Sequence, residues 1–269
     1  MEAIHILGYV GALMIGLVLG LMGSGGSIMA VPIFTYLFQI SPITTTAYSL
    51  FVVGASASVG AFKNFNKGLI DFKVAFIFAV PALFGVYVAR KFLLPIIPDE
   101  LFNIGNFVFT KNMGIMLLFS ALMLAAALSM LSEKQSLKRS NNQLSCNFIV
   151  LIFGATLIGI LTGLVGIGGG FIIIPVLVLF VKLPMKNAVA TSLFIIALKS
   201  LIGFTGDVGY LKINWTFLLL FTMIAIFGIF LGIYLSSFVK GTKLKRGFGW
   251  LVLLMAIGVF LKEVFVWFF

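Results

Sequence analysis

Ten apolar segments separated by short polar breaks make up most of this 269-residue chain. They run over 4–22, 27–39, 44–62, 72–94 and 111–131, and again over 147–165, 170–181, 187–205, 214–238 and 248–268. Most are as long as the ~20 apolar residues that carry a helix across a ~30 Å hydrocarbon core. The second of each five is only about a dozen residues, or about 18 Å of helix. That length predicts a helical hairpin with the segment before it. Strand-like alternation of the outer-membrane barrel kind is absent. The pattern predicts an all-α polytopic membrane protein.

The two sets of five are an internal duplication at an offset of 143. Gly11, Ala12 and Gly16 match Gly154, Ala155 and Gly159. Ala47, Ser49, Leu50 and Phe51 match Ala190, Ser192, Leu193 and Phe194, and Gly60 matches Gly203. Ile70-Asp71-Phe72 answers Ile213-Asn214-Trp215, and Phe84-Gly85 answers Phe227-Gly228. The expected organisation is a first transmembrane repeat (1–131), a basic cytoplasmic linker (132–146) and a second repeat (147–269).

The repeat is densest in glycine. Gly20-Leu21-Met22-Gly23-Ser24-Gly25-Gly26-Ser27 precedes Pro32, and Gly163-Leu164-Val165-Gly166-Ile167-Gly168-Gly169-Gly170 precedes Pro175. Glycine weakens a helix and bares backbone N–H and C=O groups, which lipid cannot satisfy. Gly16/Gly20 and Gly159/Gly163 have the spacing of close helix packing. The denser stretches Gly23–Ser27 and Gly166–Gly170 suit unwound hairpin tips that line a substrate site.

Composition agrees: 62% of residues are hydrophobic, 9% are charged, and the mean hydropathy is +1.24. The net charge of +11 falls mostly in short loops, which points to membrane topology rather than nucleic acid. Let the first two segments of each half form a hairpin and the other three cross. One face then receives Lys63, Lys67, Lys73, Lys134, Lys138, Arg139, Lys182, Lys186, Lys240, Lys243, Lys245 and Arg246, twelve in all. The other receives five, Arg90, Lys91, Lys111, Lys212 and Lys262. Letting the hairpin pair cross only once splits the charges eight against nine, which carries no signal. The first arrangement makes the halves inverted, with both termini outside the cell. Glu2 and the lack of an early basic region read as a retained first helix, not a signal peptide. Cys146 is the single cysteine, so an intrachain disulfide is excluded.

Inversion brings the tips in from opposite faces toward the midplane. Helix starts at Gly26–Ser27 and Gly169–Gly170 would then aim N–H groups at one region, an expected anion site. Ser49, Thr191 and Ser192 open the third segments, where hydroxyls either donate to an oxyanion or bond back to their own helix. Lys199 lies deep in an apolar segment. It either serves the anion, snorkels to a surface or pairs with Asp207. The expected substrate-binding set is Gly23, Ser24, Gly25, Gly26, Ser27, Ser49, Gly166, Gly168, Gly169, Gly170, Thr191, Ser192 and Lys199. Asp71 and Asn214 are expected helix caps. A membrane enzyme is disfavoured, since His5 and Cys146 are the only residues of their kinds and acids are few.

The doubled glycine run with its proline, Ala47-Tyr48-Ser49-Leu50-Phe51, and Gly68-Leu69-Ile70-Asp71-Phe72 resemble the sulfite exporter TauE/SafE family. Ala190-Thr191-Ser192-Leu193 fits the same pattern, and the resemblance spans essentially the whole chain. It implies transport of sulfur-containing anions such as sulfite or organosulfonates. Many members carry a histidine-containing stretch before the Gly-x-Ile/Val-Asp-aromatic motif. This chain has Lys63-Asn64-Phe65-Asn66-Lys67 and Asp207 in the matched places, so any role for that histidine is lost. The expected function is secondary transport of a small sulfur oxyanion across the plasma membrane by alternating access, driven by a proton gradient. A passive anion channel is the alternative. The expected partners are the anion and the bilayer, with no nucleic acid, cofactor or metal, and a homo-oligomer is compatible with the sequence.

Overall fold

The computed structural model describes residues 2–23, 25–104, 107–131, 148–166, 169–179, 181–209, 211–239 and 241–268. The linker 132–146 with Cys146, and the site residues Ser24 and Gly168, lie outside these.

Helix α1 (Glu2–Met22) turns at Gly23 into α2 (Gly25–Pro32), which widens into a π-helical turn at Ile33–Leu37. Pro32 has no N–H to give to the ladder, and the widening begins just beyond it. The second half repeats this with α7 (Phe148–Val165) and α8 (Gly170–Leu179). Helix α3 (Pro42–Phe65) answers α9 (Met185–Thr205), and α4 (Phe72–Val88) answers α10 (Trp215–Ser236). The two fourth-segment helices are capped as expected. Asp71 Oδ1 accepts from the Val74 N–H at 3.1 Å, and Asn214 Oδ1 from the Phe217 N–H at 3.2 Å.

Helix α4 runs on through a π-helical turn (Ala89–Leu93) and the short α5 (Leu94–Ile96). A hairpin that the apolar pattern does not announce follows, β1 (Glu100–Ile104) antiparallel to β2 (Phe107–Thr110). Helices α6 (Lys111–Leu131) and α11 (Gly241–Phe268) close the two halves.

Among the described residues, five helices are long and apolar enough to cross a membrane. They divide by burial. The spans in α3 and α9 are 72% and 67% buried, against 39–44% in α4, α6 and α10. So α3 and α9 form the centre. The outer helices show apolar stripes, with Phe76, Val80 and Phe84 on α4 and Leu219, Met223 and Phe227 on α10 all exposed. An apolar exterior around an apolar core suits a lipid solvent.

Contacts between the halves come in matched pairs. Helix α1 packs on α10 as α4 packs on α7, α3 on α10 as α9 on α4, and α3 packs on α9 and α6 on α11. Glycines make the α1–α10 and α4–α7 contacts close. A Cβ at Gly16 would strike the Ala225 carbonyl, and one at Gly228 the Leu13 carbonyl. Gly159 meets the Ala82 carbonyl and Gly85 the Thr156 carbonyl in the same way. This is the backbone-to-backbone packing that small residues permit in a bilayer.

Helices α3 and α9 run in opposite directions. Leu50 lies beside Gly203, Gly54 beside Leu201, and Gly60 beside Leu193. Ser56 of α3 and its repeat counterpart Lys199 of α9 fall at the middle of this overlap, and both are fully buried. The end of α3, the start of α4 and the start of α9 gather at one end of the molecule. There Asn187 Nδ2 donates to the Leu69 carbonyl at 3.1 Å and the Asp71 N–H donates to Thr191 Oγ1 at 3.0 Å. The start of α3 and the start of α10 meet at the other end, where the Asn214 N–H donates to Tyr48 Oη at 2.8 Å.

Candidate functional site

The first glycine tip is uncharged. Gly23 takes a left-handed conformation at φ 75°, which a side chain would strain. Its carbonyl accepts from Ser192 Oγ at 3.4 Å, while the same hydroxyl bonds back to the Val189 carbonyl at 2.9 Å. Gly26 lies against the Ile15 carbonyl of α1, and Ser27 is fully buried. Beside the tip is a cavity of about 350 Å³ lined by Gly20, Leu21, Asn64, Lys67, Leu69, Met185, Lys186, Val189, Ser236 and Ser237. It lies at the end of the molecule that carries Lys67 and Lys186.

The second tip is charged. Gly166 and Gly169 are both left-handed, at φ 72° and 65°, and α8 begins at Gly170. The Lys199 ammonium lies against Gly169 and donates to Thr162 Oγ1 at 3.1 Å. That hydroxyl gives its own proton to the Ile158 carbonyl at 2.6 Å, which leaves its oxygen free to accept. The Arg90 guanidinium lies against Gly166, and Thr46 of α3 packs on the same glycine. Arg90 Nη1 is paired with Asp207 Oδ2 at 3.0 Å, with the two side chains 0% and 5% exposed. Arg90 Nε and Nη2 have no partner among the described residues. A guanidinium, an ammonium and one carboxylate thus sit buried at a single tip.

The structure therefore brings Gly166, Gly169, Gly170 and Lys199 together and puts Gly23 with Ser192. Thr191 is drawn instead into the joint with Asp71. Ser49 is one helical turn on from Thr46, fully buried, and its hydroxyl has no partner among the described residues. The hydroxyls of Ser56 and Ser200 are buried in the same way.

Of the readings open for Lys199, pairing with Asp207 does not hold, since Asp207 is paired with Arg90 and Lys199 donates to Thr162. The tips are spread along α9 rather than gathered at one point. Gly23 lies beside Ser192, while Gly166 lies beside the arginine held by Asp207, about 20 Å further along at ~1.5 Å per residue. The 21-residue α1 carries its tip to the end of the molecule where α9 begins. Sequence reasoning missed Arg90. Its signal was its place inside the apolar stretch 72–94, masked by counting it with the loop charges.

Buried cations at a glycine tip, in a bundle with an apolar exterior, fit the class of helical membrane transporters. The family model described as Sulfite exporter TauE/SafE matches residues 8–259, and the chain belongs to that family. A probable membrane transporter protein of Xylella fastidiosa (strain Temecula1) is 29% identical over 251 residues, covering 91% of each chain. Probable membrane transporter protein YunE of Bacillus subtilis is 29% identical over 239 residues, 82% of this chain and 84% of its own. A probable membrane transporter protein of Methanocaldococcus jannaschii is 27% identical over 213 residues, 75% of this chain and 72% of its own. No solved structure matches the chain significantly. The protein is a membrane transporter by family, and its apolar helices place it in a membrane.

Proposed function

We propose that this transporter moves small sulfur-containing oxyanions, sulfite or organosulfonates, by alternating access between two inverted halves of a plasma-membrane protein, coupled to protons. The observation that carries the anion reading is the pair of buried cations, Arg90 and Lys199, at the second glycine tip. Cations are costly inside a bilayer, and among the described residues one carboxylate, Asp207, is paired with them. The start of α8 adds N–H groups and the positive end of a helix dipole. The family description supplies the sulfur.

The opposed course of α3 and α9 and the matched contacts between halves support inversion. The charge distribution supports the same frame. Lys63, Lys67, Lys73, Lys182 and Lys186 belong to helix ends and loops at one end, and Lys91 and Lys212 to the other. The lysine-rich end is the cytoplasmic one by the positive-inside rule, which puts both termini outside and the 350 Å³ cavity toward the cytoplasm.

Purified protein in liposomes tests the reading. Sulfite or methanesulfonate uptake should saturate and should accumulate against its gradient when a pH difference is imposed. Flux that never saturates and never accumulates identifies a passive anion channel. No flux across a panel of sulfur oxyanions overturns the proposal.

A further inference from the structure

We propose that Arg90 and Lys199 together are the anion-binding pair, and that they take an oxyanion head bearing one negative charge, such as a sulfonate or hydrogen sulfite, in preference to a dianion. The inference rests on the transport reading above and adds to it the donor edge that holds the anion and a charge rule.

The geometry of Arg90 carries it. Asp207 holds Nη1, which leaves Nε and Nη2 without partners among the described residues. These two nitrogens form the side-on edge of the guanidinium, whose parallel N–H groups match two oxygens of one planar or tetrahedral head. An unused edge on an arginine that is 1% exposed needs an acceptor. Nη2 lies against Gly166, and Lys199 Nζ lies against Gly169 on the same tip. Lys199 spends one of its three donors on Thr162. Donors of both residues thus bracket the glycine turn that opens α8.

The charge rule follows from the count. With Lys199 protonated, Arg90 and Lys199 against Asp207 leave one positive charge in a buried site. One negative charge balances it, and a second would leave the site negative and desolvated. A structural role for these charges is disfavoured by the repeat. Arg90 comes from the first half and Lys199 and Asp207 from the second, and their matched positions, Ile233, Ser56 and Asn64, carry no charge although the same helices form there.

Calorimetry on the purified protein with methanesulfonate, a monoanion, and sulfate, a dianion, tests both parts. Methanesulfonate should bind about tenfold or more tightly than sulfate. R90K keeps the charge but loses the side-on edge, and should weaken methanesulfonate about tenfold. K199S, which installs the serine of the matched position, should weaken it by at least as much. R90Q/D207N removes the ion pair together, avoiding a stranded carboxylate, and should still elute as a folded species while losing methanesulfonate. Unchanged affinity in R90K and K199S, or sulfate binding as tightly as methanesulfonate, overturns the inference. Liposomes separate the two levels. Wild-type protein that moves no anion removes the transport reading, whereas wild-type flux that R90K and K199S leave intact removes only this one.

Discussion

Thr162 shows how one hydroxyl can settle a buried ammonium. It gives its proton to the Ile158 carbonyl and accepts from Lys199, so the lysine keeps a partner without a counter-charge. Replacing Thr162 with Val should strand the ammonium and lower stability by about 1–3 kcal/mol, read as a drop in the melting temperature of the detergent-purified protein. Asp207→Asn should cost about 3–5 kcal/mol, because Arg90 is left buried with its charge unmatched. The same measurement reads it. The caps at Asp71 and Asn214 were legible in the sequence because a cap is a local event, completed by an N–H three residues away. The Arg90–Asp207 pair was not, since its partners are 117 positions apart and meet only when α4 packs along α9. The hydroxyl residues of the third segments divide by neighbourhood: Ser192 found Gly23 and Thr191 found Asp71, a difference no spacing encodes.

At the scale of elements, the Gly-x-x-x-Gly spacing foretold close packing but not the partner. The groove of α1 takes α10, and that of α7 takes α4. Gly228→Val should drive a side chain into the Leu13 carbonyl and abolish a monodisperse, folded species on gel filtration. Gly154→Ala is the contrast. Nothing lies within 4 Å of its Cβ position, so a helical alanine should be neutral or raise stability by up to about 1 kcal/mol in a melting assay. The short second segments were legible from length alone. The β1–β2 hairpin was not, because its strands of five and four residues adjoin apolar helices and break no pattern of their own. The π-helical turns at Ile33–Leu37 and Ala89–Leu93 were hidden for a similar reason, since widening a helix by one residue leaves its apolar content unchanged.

At the scale of the whole molecule, duplication at a fixed offset told more than any motif. It made the second half a copy of the first, and in the structure α3 packs on its copy α9 and α6 on α11, while α1 and α7 cross to α10 and α4. The sequence could not say how far each hairpin reaches, which is why the tips appear about 20 Å apart along α9 instead of side by side. Sidedness is open to direct test. A cysteine at Lys67 should react with an impermeant thiol reagent only from the cytoplasm, and one at Lys212 only from outside, in a background with Cys146 replaced. Labelling of both from the same side would falsify the inverted arrangement.

The cross-packing of α1 with α10 also bears on how the chain is made. The groove formed by Gly16 and Gly20 is closed by backbone that begins at Trp215. Helix α1 is made well before α10 and must therefore wait, with its small-residue face turned to lipid, until Trp215 and the residues after it have left the ribosome. Assembly is a late event for this protein, and a truncated chain ending at residue 131 should reach the membrane yet be cleared by proteolysis, for want of its distant neighbour.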